Sequence, residues 1–273
     1  MKNKKSFRTV ELSLPISELP GLHFITVKSK ALEARADITV YLPRTKVSLN
    51  KLPIVTLLHG VYGSHWAWCL KGKAHKTVQR LIDQKKIPPM ALVMPSDGLW
   101  GDGSGYVPHR NKNFEKWIVD EVPCVVRETL GVSEKGRKGF IAGLSMGGFG
   151  ALRLGALYPK KYAAFSGHSS ITDFSQMKQF VIEPLHFYRC ADKNKSVFKT
   201  IFKNRKIIGP FRFDCGVDDP LIKFNQELHR ELKKSNITHD YQEFSGTHEW
   251  KYWETHLEET LLFFGQHFNK VNR

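Results

Sequence analysis

The sequence predicts one α/β domain: a mostly parallel central sheet with helices on both faces, preceded by antiparallel N-terminal strands. Short continuous apolar runs recur between segments whose apolar residues are spaced by three and four, which is how strands covered on both faces by helices read. The N-terminal stretch alternates instead, as half-buried antiparallel strands do. The 273 residues, 41% hydrophobic and 25% charged, contain no internal repeat and no Pro/Gly/Ser linker to divide them, so residues 1–273 read as a single domain.

The elements follow in order. Thr9 to Leu14, Leu22 to Val27 and Ala34 to Leu42 are rich in β-branched residues and form the antiparallel entry. Ile54 to Leu58, Met90 to Met94, Phe140 to Ala142, Ala163 to Ser166, Phe211 to Cys215 and Tyr241 to Phe244 supply the remaining strands. Ala74 to Gln84, Phe114 to Thr129, Met146 to Leu157, Leu221 to Lys234 and Trp250 to His267 carry helical spacing. Residues 171–206 separate two strands, hold Phe180, Phe187, Tyr188, Phe198 and Phe202, and read as a small helical cap insertion. Ligands of such sheets bind beyond the carboxyl ends of the strands, which directs attention to the loops after Leu58, Met94, Ala142, Ser166, Cys215 and Phe244.

Composition narrows the function. No apolar run approaches the roughly 20 residues of a membrane span. Met1 to Val10 is basic but lacks an apolar stretch behind it, so no secretory signal is expected. Cys69, Cys124, Cys190 and Cys215 lie far apart without metal-type spacing and read as reduced thiols of a cytoplasmic protein. Lys and Arg number 42 against 26 Asp and Glu, a net charge of +16. The excess is spread along the chain with no nucleic-acid motif, so a solvated basic surface is expected rather than a nucleic-acid partner. Eight basic and two acidic residues between Phe174 and Lys206 would steer anionic esters toward the cap. Composition leaves self-association open.

One loop carries chemistry. Gly143-Leu144-Ser145-Met146-Gly147 lies between an apolar strand and a helix, a GxSxG sequence in the strand–turn–helix setting of a nucleophile elbow. The turn strains the serine backbone, leaves no room for side chains at the glycines, and aims the helix N-terminus at the site. The bland alternative is a serine that caps the helix.

A serine needs a base, and the base needs a carboxylate to orient it, in the chain order Ser, Asp or Glu, His. Of the seven histidines downstream, His248 alone lies in a loop directly after the last strand. The acid belongs after Phe211 to Cys215, where Asp218 and Asp219 both qualify. Asp219 is favoured, because the turn starts at Gly216 and leads to a helix opening at Pro220; Asp218 is the reserve, and Asp214 sits in the strand. The Val61 amide, freed by Gly60, and the Met146 amide are the expected oxyanion donors. His59 is expected to brace its loop. Trp66, Trp68, Trp100 and Tyr106 are expected at the rim as substrate-binding residues. Asp97 to Tyr106 has too few carboxylates for a cation cage and reads as a rim loop.

The segments LLHGVYGSHWAW (Leu57 to Trp68), FIAGLSMGGFGAL (Phe140 to Leu152), SGHSSITDF (Ser166 to Phe174), DCGVDD (Asp214 to Asp219) and HEWKYWE (His248 to Glu254) resemble those of the esterase D branch of the α/β-hydrolases. The resemblance is nearest to its tributyrin-type short-chain esterases. The branch also holds S-formylglutathione hydrolases, feruloyl and acetylxylan esterases and mycolyltransferases. The resemblance implies an α/β-hydrolase fold, a triad of Ser145, Asp219 and His248, Val61 and Met146 as the oxyanion hole, and no metal or cofactor. The activity it implies is serine carboxylesterase chemistry on small short-chain acyl esters through an acyl-enzyme. Thioester hydrolysis, feruloyl or acetylxylan ester hydrolysis, and acyl transfer would use the same triad. The stretch after Leu58 lacks the Cys/Thr loop typical of S-formylglutathione hydrolases. A non-catalytic basic binding module on the same fold is the reading of another class, and the three filled triad positions argue against it.

Overall fold

The computed structural model describes residues 6–7, 9–133, 135–189 and 191–272. The basic residues Met1 to Lys5 and the Cys190 thiol lie outside them. Strands β1 (Val10–Leu12), β2 (Leu22–Ser29), β3 (Ala34–Tyr41), β4 (Ile54–Leu58) and β5 (Ala91–Pro95) make the first half of a nine-stranded sheet. β6 (Gly139–Leu144), β7 (Tyr162–His168), β8 (Phe211–Gly216) and β9 (Asp240–Phe244) make the second. The spatial order is β1-β2-β3-β5-β4-β6-β7-β8-β9. β1, β2 and β3 pair antiparallel, and β3 meets β5 antiparallel; from β5 through β9 every pairing is parallel. Every residue of β4, β5, β7 and β8 is buried, the burial that their unbroken apolar runs require.

Helices cover both faces. α1 (Ala67–Leu70), α2 (Ala74–Asp83) and α8 (Trp250–Gln266) close one core around Val55, Leu57, Leu92, Val78, Leu257 and Leu261. α3 (Phe114–Lys116), α4 (Val122–Leu130), α5 (Met146–Leu157), α6 (Val197–Asn204) and α7 (Ile222–Lys234) close the other. Two differences from the sequence reading have local causes. The helix expected over Phe114 to Thr129 contains a π-turn, Trp117–Glu121, just before Pro123. Proline brings no N–H and its ring collides with the carbonyl four residues back, so the chain widens there rather than breaking. Helix α1 is a single turn, too short to show periodicity. The described residues of 171–206 hold three short 3₁₀ segments (Phe174–Gln179, Leu185–Phe187, Asp192–Asn194) and α6. Among the described residues no helix is long and apolar enough to cross a membrane.

Candidate active site

The loop from β6 to α5 is as strained as its sequence implies. Ser145 has φ 54° and ψ −118°, a region non-glycine residues occupy at a cost of about 1–3 kcal/mol. Two close approaches hold it. A side chain at Gly143 would sit 2.2 Å from the Gly147 carbonyl oxygen, and one at Gly147 would sit 2.3 Å from that of Leu58. The Ser145 amide donates to His168 O at 2.9 Å. Its hydroxyl makes no capping bond to α5, which removes the bland alternative.

That hydroxyl meets His248 instead. Nε2 of His248 lies 3.0 Å from Ser145 Oγ, and Nδ1 lies 2.8 Å from Asp219 Oδ2. A carboxylate only accepts, so Nδ1 carries the proton and Nε2 is the acceptor for the serine O–H. Asp219 is buried, and its other oxygen accepts the Leu221 amide at 2.8 Å, which fixes the carboxylate plane. Asp218 is exposed. The following helix starts at Ile222, two residues later than the expected Pro220, because the Asp219 side chain forms a turn with Leu221 before α7 begins. An imidazole held between a buried carboxylate and a hydroxyl can draw the proton from that hydroxyl. Two rings fix its plane: Phe180 stacks on it at 5.9 Å and Trp253 meets it edge-on at 4.9 Å.

Val61 lines the cleft at Ser145, and Met146 follows Ser145 directly as the first residue of α5. The Tyr62 amide is taken by Asp102 O at 2.9 Å and the Gly63 amide by Gly60 O at 3.3 Å. Among the described residues neither the Val61 nor the Met146 N–H has a protein acceptor. A side chain at Gly60 would sit 3.3 Å from Ser145 Cβ, so the loop carrying Val61 passes directly against the elbow. His59 braces that loop as expected: its Nε2 accepts the Asp97 amide at 3.0 Å, so Nδ1 carries the hydrogen and donates to Gly60 O at 2.7 Å. Asp97 spends both oxygens on backbone, accepting from Leu99 at 2.9 Å and Ser104 at 2.7 Å, which makes its segment a tied rim loop. Among the described residues no three His, Cys, Asp or Glu side chains gather where a metal could bind.

The cleft at Ser145 measures about 460 Å³, lined by Val61, Tyr62, Trp66, Phe180, Trp250 and Trp253 among others, with Lys71 and Glu249 at its charged edges. Of the four aromatics expected there, only Trp66 arrives. Trp68 and Tyr106 are corrections: both are buried in the core, Trp68 donating its indole N–H to Leu58 O and Tyr106 its hydroxyl to His59 O, each at 2.9 Å. They prop the loops from beneath, because α1 turns Trp68 inward and the Asp97 staple folds Tyr106 under β4. Trp100 is also displaced, packed edge-on against His109 and Tyr188 away from the cleft. Sequence reasoning missed Tyr62, Trp250 and Trp253 as cleft residues. Trp253 could have been found, since it lies in the first turn of α8, the helix that opens two residues after His248.

The family model described as "Putative esterase" matches residues 29–205. The chain belongs to that family. The acetyl esterase of Caldicellulosiruptor saccharolyticus is 27% identical over 260 residues, covering 85% of this chain and 94% of that protein. An endo-1,4-beta-xylanase/feruloyl esterase of Xylanibacter ruminicola is 29% identical over 134 residues, 45% of this chain and 18% of that much longer protein. Among solved structures, a ferulic acid esterase superposes with a TM-score of 0.77 at 22% identity, covering 96% of this chain and 100% of that one. An S-formylglutathione hydrolase of Staphylococcus aureus gives 0.73 at 17% identity, over 93% and 98%. The family member has the fold of these α/β-hydrolases and is a carboxylic ester hydrolase.

Proposed function

We propose that this esterase hydrolyses short-chain acyl esters through an acyl-enzyme on Ser145. The observation that carries the reading is the His248 imidazole bridging Ser145 Oγ at 3.0 Å and Asp219 at 2.8 Å. His248 takes the Ser145 proton as Oγ attacks the ester carbonyl, and the Val61 and Met146 amides receive the oxyanion. The tetrahedral intermediate collapses, the alcohol leaves with the proton from Nε2, and the acyl group stays on Oγ. Water then attacks the acyl carbonyl with His248 again as base, releasing the acid and restoring the hydroxyl. Asp219 keeps the tautomer and stabilises the imidazolium between steps. A cleft of about 460 Å³ supports a small ester. The test is hydrolysis of p-nitrophenyl esters from acetate to palmitate by wild type and Ser145→Ala. Turnover confined to the short esters and absent from the variant is expected; turnover retained in the variant removes Ser145 from the scheme.

A second reading, hydrolysis of esters of phenolic acids, is favoured by the five aromatic side chains of the cleft, Tyr62, Trp66, Phe180, Trp250 and Trp253. Methyl ferulate tested beside p-nitrophenyl acetate separates the two through their ratio of kcat/KM. We read the enzyme as cytoplasmic and its substrate as a dissolved ester, a reading supported by the free thiols Cys69, Cys124 and Cys215.

A further inference from the structure

Behind the nucleophile lies a polar cluster that acyl transfer leaves unused: Ser166 and His168 of β7, Arg212 and Asp214 of β8, Tyr252 and Thr260 of α8. None is more than 3% exposed. Asp214 accepts from Arg212 at 2.8 Å, from His168 Nδ1 at 3.0 Å and from the Tyr252 hydroxyl at 3.0 Å. Thr260 Oγ1 meets Arg212 at 2.8 Å, His168 Nε2 at 3.0 Å and Ser166 Oγ at 2.7 Å. Burial pushes the Asp214 carboxyl up, but the His168 and Arg212 charges and the hydrogen bonds from His168 and Tyr252 outweigh it and hold its pKa below the usual carboxylate range.

A buried ionic cluster is a poor stability device, because desolvation offsets the attraction and a packed apolar core serves as well. Its connections are more telling. The His168 carbonyl receives the Ser145 amide at 2.9 Å, and the Asp214 carbonyl receives the Ser169 amide at 2.7 Å. Tyr252 lies four residues past His248 and its ring packs on Gly246, where a side chain would come within 2.8 Å of Cδ2. The Gly246 carbonyl in turn accepts the Asp218 amide at 3.1 Å. One phenol thus joins the loop of His248 to the strand that leads to Asp219.

We propose that Tyr252, through its hydrogen bond to Asp214, is a positioning residue that sets where His248 stands relative to Ser145 and Asp219. It makes and breaks no bond to substrate. The inference rests on the acyl-enzyme reading above. Without the phenol the loop is free to shift, and both His248 hydrogen bonds lengthen together. Proton transfer suffers while the cleft that binds the ester keeps its walls. Asp219 contacts His248 directly, and Tyr62, Lys71 and Glu249 are the other titratable groups lining its cleft, all of which the variant leaves in place.

The test is Tyr252→Phe, which keeps the ring on Gly246 and removes one oxygen. On p-nitrophenyl acetate kcat is expected to fall about 10-fold at unchanged KM, part of the roughly 10²- to 10⁴-fold that a positioned general base supplies. The acid limb of the pH profile moves to lower pH, since the imidazolium loses part of its support from Asp219. A merely structural tyrosine would lower the melting temperature and leave kcat and the acid limb at wild-type values, and that result overturns the proposal. Asp214→Asn is the companion variant, measured with a thermal melt because it also takes the partner from the buried Arg212 charge. Where either variant folds poorly, kcat per active site titrated with a fluorophosphonate keeps the comparison to folded enzyme. Asp214→Asn gives the same kcat loss, and the double variant is no worse than either single one if the pair acts as a unit; additive losses overturn the assignment. Ser145→Ala measured alongside reports separately on the acyl-enzyme reading: turnover retained there defeats that reading whatever Tyr252 does.

Discussion

At the scale of single residues the site is a set of atoms each given one task by its neighbours. On the proposed mechanism Ser145→Ala should lower kcat by about three to six orders of magnitude with an unchanged melting temperature, because it deletes one oxygen from an elbow whose geometry is held by backbone. Steady-state kinetics with a thermal melt checks both halves. Gly147→Ala should do the opposite kind of damage. Its Cβ would stand 2.3 Å from Leu58 O and 2.5 Å from His59 O, contacts no rotamer relieves. A loss of about 3 kcal/mol is expected in urea unfolding, the range reserved for forced backbone shifts. Burial pushes the Cys69 thiol up to about 11 and leaves it no part in nucleophilic chemistry at neutral pH.

At the scale of elements, strain gathers where the strands end. Tyr62, Leu99, Tyr106, Ser145 and Ser169 all have positive φ and all lie on loops at the carboxyl edge of the sheet. The loop after β5 is anchored by His109, whose ring packs on Trp100, Phe114 and Tyr188 and reaches Ser104 O. Burial pushes the His109 pKa down to about 4. The folded protein therefore keeps this imidazole neutral while the unfolded chain protonates near 6.5, so stability falls as pH drops from about 6.5 toward 4. His109→Gln should flatten that dependence, read as a smaller difference between melting temperatures at the two ends of the window. From the segment after β7, Phe180 stacks on the imidazole. Phe180→Ala should raise KM for short esters about 2- to 10-fold, the equivalent of one aromatic contact. An unchanged KM would leave that ring a packing role only.

At the scale of the molecule, the +16 charge acts through solvent rather than through the fold. Exposed charges are screened beyond about 10 Å at 0.1 M salt. If the basic excess over Phe174 to Lys206 steers substrate, kcat/KM for an anionic ester such as p-nitrophenyl hemisuccinate should fall as salt rises from about 0.01 to 1 M while that for a neutral ester stays level. Equal salt response of the two esters would leave the charge without a kinetic role. The two cores are unequally placed for function: the α2/α8 side carries Trp250 and Trp253 into the cleft, and the α5 side seats the elbow.

Much of this was legible before any coordinates. Each of the nine strands lies within three residues of its reading: burial on both faces writes itself into the unbroken apolar runs of β4 to β8, and half-burial into the alternation of β2 and β3. The elbow was legible because a strained turn between strand and helix admits only glycine two positions to either side of the serine, and His248 because chain order and the end of β9 leave one loop histidine. The sequence favoured Asp219 with Asp218 in reserve, and tertiary structure sets which of the adjacent carboxylates turns under the imidazole: Asp219 does, and Asp218 is exposed. The aromatic assignments depended on tertiary structure entirely. Trp66 and Trp68 differ by two positions on one short turn, and which of them lines the cleft is set by tertiary packing, which ties the Trp68 indole to Leu58 O. Local sequence encodes periodicity and backbone strain, whereas the direction of a side chain in a loop is fixed by the surfaces that loop happens to meet.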